Sequence, residues 1–323
     1  MKTRLTDILG IEHPVMLAGM GGVSYAPLVT AVSDAGGFGC LGASTMSTER
    51  MVAEIAQVRA ANDKPFGVDL LTAMPGNLVG QVEQIIEGGA SVFVAGLGVP
   101  SEVVELCHRH QVLVVNMCGK VDHARRALEA GCDIVVAQGT EAGGHTGLIA
   151  TMPLVPQIVD AVGTHIPVVA AGGIFDGRGL AAALALGADG VWIGTRFIAT
   201  PEARSVAGYK DALVRTGEDG TTISRAYSGK TMRVVRNRYT TFYEEHPSEL
   251  QPFPAQLSRS MEDGAFHLGG DEDTLDIDAD RECYPTGQGV GAIQTLIPAA
   301  SVVTQMVDQA QQVLAHLGAV AAN

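Results

Sequence analysis

The sequence predicts an α/β protein built as a (β/α)8 TIM barrel, with a C-terminal extension packed over the barrel mouth. Three observations predict it. Eight short apolar runs, each leading into a turn and a helical stretch, fall within residues 1–213. They are continuous rather than alternating, as parallel strands buried on both faces must be. Glycine clusters close the seventh and eighth runs, where a barrel carries its phosphate cradle. A doubly wound open sheet is the competing arrangement, but no G-x-G-x-x-G opens the first helix as a dinucleotide fold would require.

Taken in order, Pro14–Gly19 is the first strand and ends in Met20-Gly21-Gly22, with Ser24 as N-cap of a helix through Ala35. Gly37–Gly42 is the second, and Ser47 caps a helix to Ala61. Pro65–Leu70 is the third, followed by a helix over Leu78–Glu87. Ser91–Gly96 is the fourth, with Ser101 capping the next helix, and Val112–Met117 is the fifth, with a helix over Asp122–Ala130. Ile134–Ala137 is the sixth and opens into Gln138-Gly-Thr-Glu-Ala-Gly-Gly-His145. The seventh begins at Ile166 and ends in Gly172-Gly173, before Asp176 and an alanine-rich helix. Gly190–Ile193 is the eighth and ends in Gly194-Thr195; a last helix starts after Pro201.

The turn after the sixth strand carries the chemistry. Its glycines let the backbone approach a flat ligand with no Cβ in the way. His145 projects into the space they leave, and imidazole titrates near neutrality, as proton transfer requires. The glycine pairs after the seventh and eighth strands present backbone N–H groups to an anion.

Composition sets bounds. A chain of 323 residues, 46% hydrophobic, can bury a large core, and 40 glycines suit many tight strand-to-helix turns. A formal net charge of −14 argues against nucleic acid or an anionic membrane as partner. No apolar segment is long enough to span a bilayer, and the N-terminus lacks the apolar core of a secretory signal. The five cysteines, Cys40, Cys107, Cys118, Cys132 and Cys283, have no C-x-x-C spacing. They read as buried hydrophobes in a reducing cytoplasm, and no metal constellation is visible. Cys118 has no identifiable partner for a nucleophile's role.

Residues 214–323 break the pattern and read as the extension. A basic stretch, Arg225–Tyr239, gives way to prolines and then to a strongly acidic segment; a disordered linker over Asp263–Asp280 is an alternative that the sequence leaves open. Gly287-Gln-Gly-Val-Gly291 leads into a final helix over Ile297–Leu317 that returns to the barrel.

Several of these motifs, in this order, resemble the nitronate monooxygenase family, formerly called 2-nitropropane dioxygenases. They are Pro65-Phe-Gly-Val-Asp69, Gln138–His145, Ala171–Gly179, Gly194-Thr-Arg-Phe197, Ser228-Gly229, Arg236-Asn237 and Gly287-Gln-Gly289. The family also includes FMN-dependent enoyl-acyl-carrier-protein reductases, and the resemblance spans nearly the whole chain. It implies an FMN-binding barrel and an oxidoreductase. Ala18, Gly19 and Met20 would lie against the isoalloxazine ring. Gln138 would bond the polar edge of the ring, and Gly143 and Gly144 would let it approach. Gly172, Gly173 and the stretch Trp192, Gly194 and Thr195 would hold the phosphate, and His145 matches the catalytic histidine. The chain departs from the family at three places: Asp69 replaces an asparagine, Thr146 follows the histidine where arginine is common, and the acidic segment before Cys283 is long.

The first function expected is oxidation of alkyl nitronates by O2 to a carbonyl compound and nitrite. The second is NAD(P)H-dependent reduction of an enoyl or related acyl thioester, linked to acyl carrier protein or coenzyme A. Either makes the partner a small molecule, with NADH or NADPH as reductant in the second case. A third, non-catalytic reading is FMN storage or sensing, which leaves His145 unexplained. A basic rim from Arg225, Lys230, Arg233, Arg236 and Arg238 would favour a phosphorylated or carrier-bound substrate; as surface charges they would instead dock on an acidic barrel. Lys120 follows the fifth strand and points to the mouth or to solvent. Asp176 and Arg178 read as a helix cap and its surface partner. His13 precedes a strand entry; His108, His110 and His123 are expected away from the mouth, and His246 and His267 exposed.

Overall fold

The computed structural model describes residues 1–72, 77–96 and 98–322. Eight parallel strands form the barrel: β1 (Val15–Leu17), β2 (Gly39–Gly42), β3 (Phe66–Leu71), β4 (Val92–Gly96), β5 (Leu113–Cys118), β6 (Ile134–Gln138), β8 (Val168–Ala171) and β9 (Gly190–Ile193). Their order is β1-β9-β8-β6-β5-β4-β3-β2, and a parallel bridge between Met16 and Phe38 closes the ring. The barrel expectation is borne out.

The strands are apolar on both sides because each side has its own core. Met16, Cys40, Val94, Val115, Val136, Val169 and Trp192 pack together inside the barrel. Leu17, Leu41, Val68, Phe93, Val114, Val135 and Val191 pack instead with helix residues such as Leu28, Ile55, Val103 and Leu180. A short first helix, α1 (Arg4–Leu9), is fixed by a capping box between Thr3 and Thr6. Its Leu5 and Leu9 join the interior set and plug the end opposite the mouth.

The surrounding helices are α2 (Ala26–Asp34), α3 (Thr48–Ala61), α4 (Leu78–Glu87), α5 (Ser101–Arg109), α6 (Val121–Glu129), α7 (Thr151–Val162), α8 (Gly177–Ala185) and α9 (Thr195–Ile198). Ser47 caps α3 and Asp176 caps α8, as their sequence contexts predict. Two expected caps differ. Ser24 precedes the N-cap Tyr25 and is buried; its hydroxyl donates to the Ala18 carbonyl and accepts from Met20 N–H. The start of α2 is satisfied by Glu54 of α3, whose carboxylate accepts from Ala26 N–H at 2.8 Å. Ser101 is the first residue of α5, after an N-cap at Pro100. The helix expected after Pro201 is α10, which starts only at Tyr209 and runs to Arg215.

Beyond α10, the hairpin β10 (Thr221–Ser224) and β11 (Met232–Val235) pairs with β7 (Gly144–His145), so a small sheet crosses the mouth. Then follow α11 (Arg238–Glu245), α12 (Ala255–Glu262) and α13 (Ala299–Ala321), the last packing on α8 and α2. The acidic segment, whose order the sequence leaves open, is tied down by ion pairs. Asp271 pairs with Arg204 at 2.6 Å, and Asp278 and Asp280 pair with Arg238 at 3.0 and 3.3 Å. Opposite charge brought from distant elements offsets the repulsion that made the segment look disordered. No described helix is long and apolar enough to cross a membrane.

Candidate active site

The inward-facing residues at the C-terminal ends of the strands form the floor of a cavity of about 400 Å³, within the size range of small-molecule sites. Ala18, Gly19 and Met20 enter from β1, Asp69 from β3, Gln138 from β6, Gly172 and Gly173 from β8, and Trp192, Gly194 and Thr195 from β9. Gly143, Gly144 and His145 close it on one side. The predicted site residues thus converge on one space.

Glycine is required here for two reasons. A Cβ on Gly19 would overlap the side chain of Asp69, so the β1 turn is threaded against β3. Gly172 and Gly173 adopt φ of 105° and 72°, conformations L side chains rarely take. That twist leaves both of their N–H groups without an acceptor among the described residues, turned out of the ladder beside the cavity. Trp192 lies in β9 with its indole in the barrel interior. The Thr195 hydroxyl accepts from Gly287 N–H at 2.9 Å, which ties the extension to the end of β9.

His145 sits where this inner cavity meets an outer one of about 1140 Å³, and its accessible surface opens on both. Three contacts fix it. Its backbone pairs with Met232 of β11. Its carbonyl accepts from Gln138 Nε2 at 2.8 Å, and its Nε2 lies 2.9 Å from Ser228 Oγ. The loop before it is braced by Arg233, which donates to the Thr140 carbonyl, and by Glu141, which accepts from Thr151. Desolvation, with the Lys230 ammonium adding to it, lowers the His145 pKa below the ordinary imidazole value, so the ring is neutral at pH 7. A neutral ring can take a proton.

Asp69 is buried and faces the inner cavity, and no hydrogen bond reaches its carboxyl among the described residues. Burial pushes its pKa up to about 8. Thr45 lies on the same wall, but its Oγ1 is closed off from the cavity and has no partner among the described residues. The inner cavity therefore offers N–H groups, an unpaired acid and a glycine-lined path.

The structure corrects three placements. His267, expected exposed, is half-buried in the inner cavity wall; its Nδ1 lies 2.7 Å from Oε2 of buried Glu282, whose Oε1 accepts from His267 N–H. His123, expected away from the mouth, lines the outer cavity with Lys120 and Arg126. The basic rim expected from the extension is reduced to Lys230 at that cavity. Arg233 is buried as a loop brace, Arg238 is paired to the acidic segment, and Arg225 donates to the Gly229 carbonyl. Asp176 and Arg178 pair at 2.6 Å at the start of α8, as predicted. All five cysteines are buried and unpaired, with thiols raised by burial, Cys118 to about 12. No cluster of potential metal ligands occurs among the described residues.

Sequence reasoning missed the Ser228 contact to His145 and the Glu282–His267 pair. Ser228 was visible only as part of a familiar motif, and nothing local marks Glu282 within an acidic segment.

Residues 2–78 and 71–309 match the nitronate monooxygenase family. A relative from Mycobacterium tuberculosis, named (3aS,4S,5R,7aS)-5-hydroxy-7a-methyl-1-oxo-octahydro-1H-indene-4-carboxyl-CoA dehydrogenase, is 42% identical over 258 residues, covering 80% of this chain and 72% of that protein. FabK from Thermotoga maritima superposes with a TM-score of 0.88 at 32% identity, over 99% of both chains. A nitroalkane oxidase from Streptomyces ansochromogenes superposes with a TM-score of 0.82 at 29% identity, over 97% of this chain and 99% of that one. The chain belongs to the nitronate monooxygenase family, whose members are oxidoreductases and generally depend on FMN.

Proposed function

We propose, from that membership, that the chain binds FMN in the inner cavity and oxidises alkyl nitronates with O2 to a carbonyl compound and nitrite. The donor set supports the cofactor. Backbone N–H groups of Gly172 and Gly173, with Gly194 and the Thr195 hydroxyl, suit a phosphate, and Gly19, Gly143 and Gly144 leave room for a flat ring. When bound, FMN would carry the electrons, and the protein would supply orientation and proton transfer.

The observation that carries the reading is His145 at the junction of the two cavities, held by Ser228. When Nε2 donates to the serine oxygen, Nδ1 keeps its lone pair and takes the α-proton of a neutral nitroalkane, leaving the nitronate. When the ring is protonated, it stabilises a nitronate that arrives already ionised. Gln138 and the β7–β11 pairing hold the residue's backbone, and Ser228 orients its ring. Mixed anaerobically with ethyl nitronate, the yellow protein should bleach, and nitrite should appear when air is admitted. A protein that reconstitutes with FAD, or stays colourless with FMN, would refute the cofactor.

A second reading, reduction of an enoyl or related acyl thioester with NAD(P)H as the hydride donor, is favoured by the outer cavity. It is far larger than a small nitronate needs, mixes Val99, Ile149, Leu257 and Phe266 with Lys120, His123, Arg126 and Lys230, and reaches His145. Apolar wall with basic groups suits an acyl chain carrying a phosphorylated handle, and the 42% identical relative is named for a carboxyl-CoA substrate. Fast anaerobic bleaching by NADH or NADPH, with none by nitronate, would select this reading over the first.

A further inference from the structure

Every polar group but one that faces the inner cavity from the barrel can be read as a neutral donor or acceptor. Asp69 is the exception: it is buried, and its surroundings offer nothing that would hold it as a carboxylate. A buried ionised carboxyl needs donors or a cation, because desolvation otherwise costs far more than the fold can offset. None reaches Asp69.

The elements packed against it are known. The β1 turn presents the backbone of Gly19, and β4 ends beside it at Gly96. From β2 comes the Cys40 thiol, fully buried and itself pushed far up by burial and by Asp69. On β5, Asn116 spends its amide on the Ala95 carbonyl, and the Gln138 amide on β6 donates to His145. The other titratable groups on the cavity wall are His145, Tyr209, His267, Glu282 and Cys283, and no lysine or arginine lines it among the described residues.

We propose that Asp69 stands in the inner cavity as an un-ionised carboxylic acid and donates its proton in a hydrogen bond to an acceptor atom of the bound cofactor. The inference rests on the FMN reading for the identity of that acceptor; the protonation state does not. Asparagine offers a donor at this place at every pH, whereas the acid offers one only until it ionises. Burial alone raises its pKa to about 8, so the donor is present at neutral pH and is replaced by a negative charge in alkali. Cofactor affinity then becomes pH-dependent through this one residue.

The test uses the full chain freed of flavin. FMN affinity, read from quenching of flavin fluorescence, should hold to about pH 8 and then weaken by roughly tenfold per pH unit. Asp69→Asn should bind FMN within a few-fold of the wild type near pH 6.5 and lose the alkaline fall. The variant cancels titrations of the cofactor itself. Curves that superimpose would overturn the proposal. A second measurement needs neither cofactor nor variant folding: carbon-13 NMR of the wild type labelled at aspartate carboxyls should show one resonance titrating near pH 8. If every aspartate titrates in the ordinary acidic range, the proposal is wrong. If neither protein binds FMN while that resonance is present, the cofactor reading fails and the protonated acid stands.

Discussion

Replacing His145 by asparagine removes the imidazole and leaves the elements that hold it. Residue 145 keeps its backbone pairing to Met232 and its carbonyl bond from Gln138, neither of which involves the ring. The side chain gives up one neutral hydrogen bond, to Ser228 at 2.9 Å. Such a bond contributes about 1 kcal/mol net, and the loss should lower Tm by about 1–2 °C in a chain of this size. The catalytic loss is larger: a positioned acid or base contributes roughly 10²–10⁴-fold, or about 2.7–5.4 kcal/mol of barrier. His145→Asn should therefore keep FMN and the fold while turnover of a neutral nitroalkane falls by that factor. A pre-ionised nitronate should be affected less, since its proton is already gone. The pH profile adds a sign. With the folded pKa held below the ordinary imidazole value, the base stays available as pH falls through about 6.5, and the acid limb of kcat/KM should lie below that point. The assay is steady-state oxygen consumption with nitroethane and with ethyl nitronate. Equal rates for mutant and wild type on both substrates would mean that His145 is a turn residue and that the mechanism is wrong.

Three further outcomes follow from the geometry. Gly194 has φ of −105°, and a Cβ there would lie 3.4 Å from Met20 Sδ and 3.8 Å from Ala18, so Gly194→Val should fold normally yet bind FMN at least tenfold more weakly by flavin fluorescence; unchanged affinity would place the cofactor elsewhere. Lys120→Ala with Lys230→Ala should raise KM for a coenzyme A thioester several-fold and leave KM for a nitronate alone; equal effects on both would remove the outer cavity from substrate recognition. Glu282→Leu leaves two His267 donors unpaired, which costs about 1–3 kcal/mol each when buried, so thermal unfolding should shift down by several degrees; an unshifted Tm would mean water replaces the carboxylate there.

The strands were legible because burial on both faces leaves a continuous apolar signal, as in Val168–Ala171 and Ile134–Ala137. The cradle was legible because positive φ at Gly172 and Gly173 demands glycine in sequence as well as in space. What escaped depends on partners far apart in the chain. Ser24 has the right residue type for a cap, but Glu54 satisfies α2 from 28 positions beyond Ala26. The acidic segment looks unfoldable until Arg204 and Arg238 are set against it. His123 is one of several polar residues on α6, and only the packing of that helix decides which of them meets the outer cavity. His267 was indistinguishable from an exposed loop histidine until Glu282, 15 residues on, was brought against its ring.

On the proposed reading the two cavities divide the work of the site, the inner one holding the cofactor and the outer one admitting the substrate. The inner cavity is built by the strand ends, where backbone geometry and the interior packing of Trp192 and its neighbours leave little freedom to vary. The outer cavity adds to the ends of β3, β5 and β6 a lining from α6, the loop around Leu148 and the extension, which are attached to the barrel from outside. Only His145, Gln138 and a few residues of the rim belong to both. A change of outer lining can therefore alter which molecule reaches the histidine without disturbing how the cofactor would be held, and the discriminating experiments belong on Lys120, Arg126 and Lys230 rather than on the glycines.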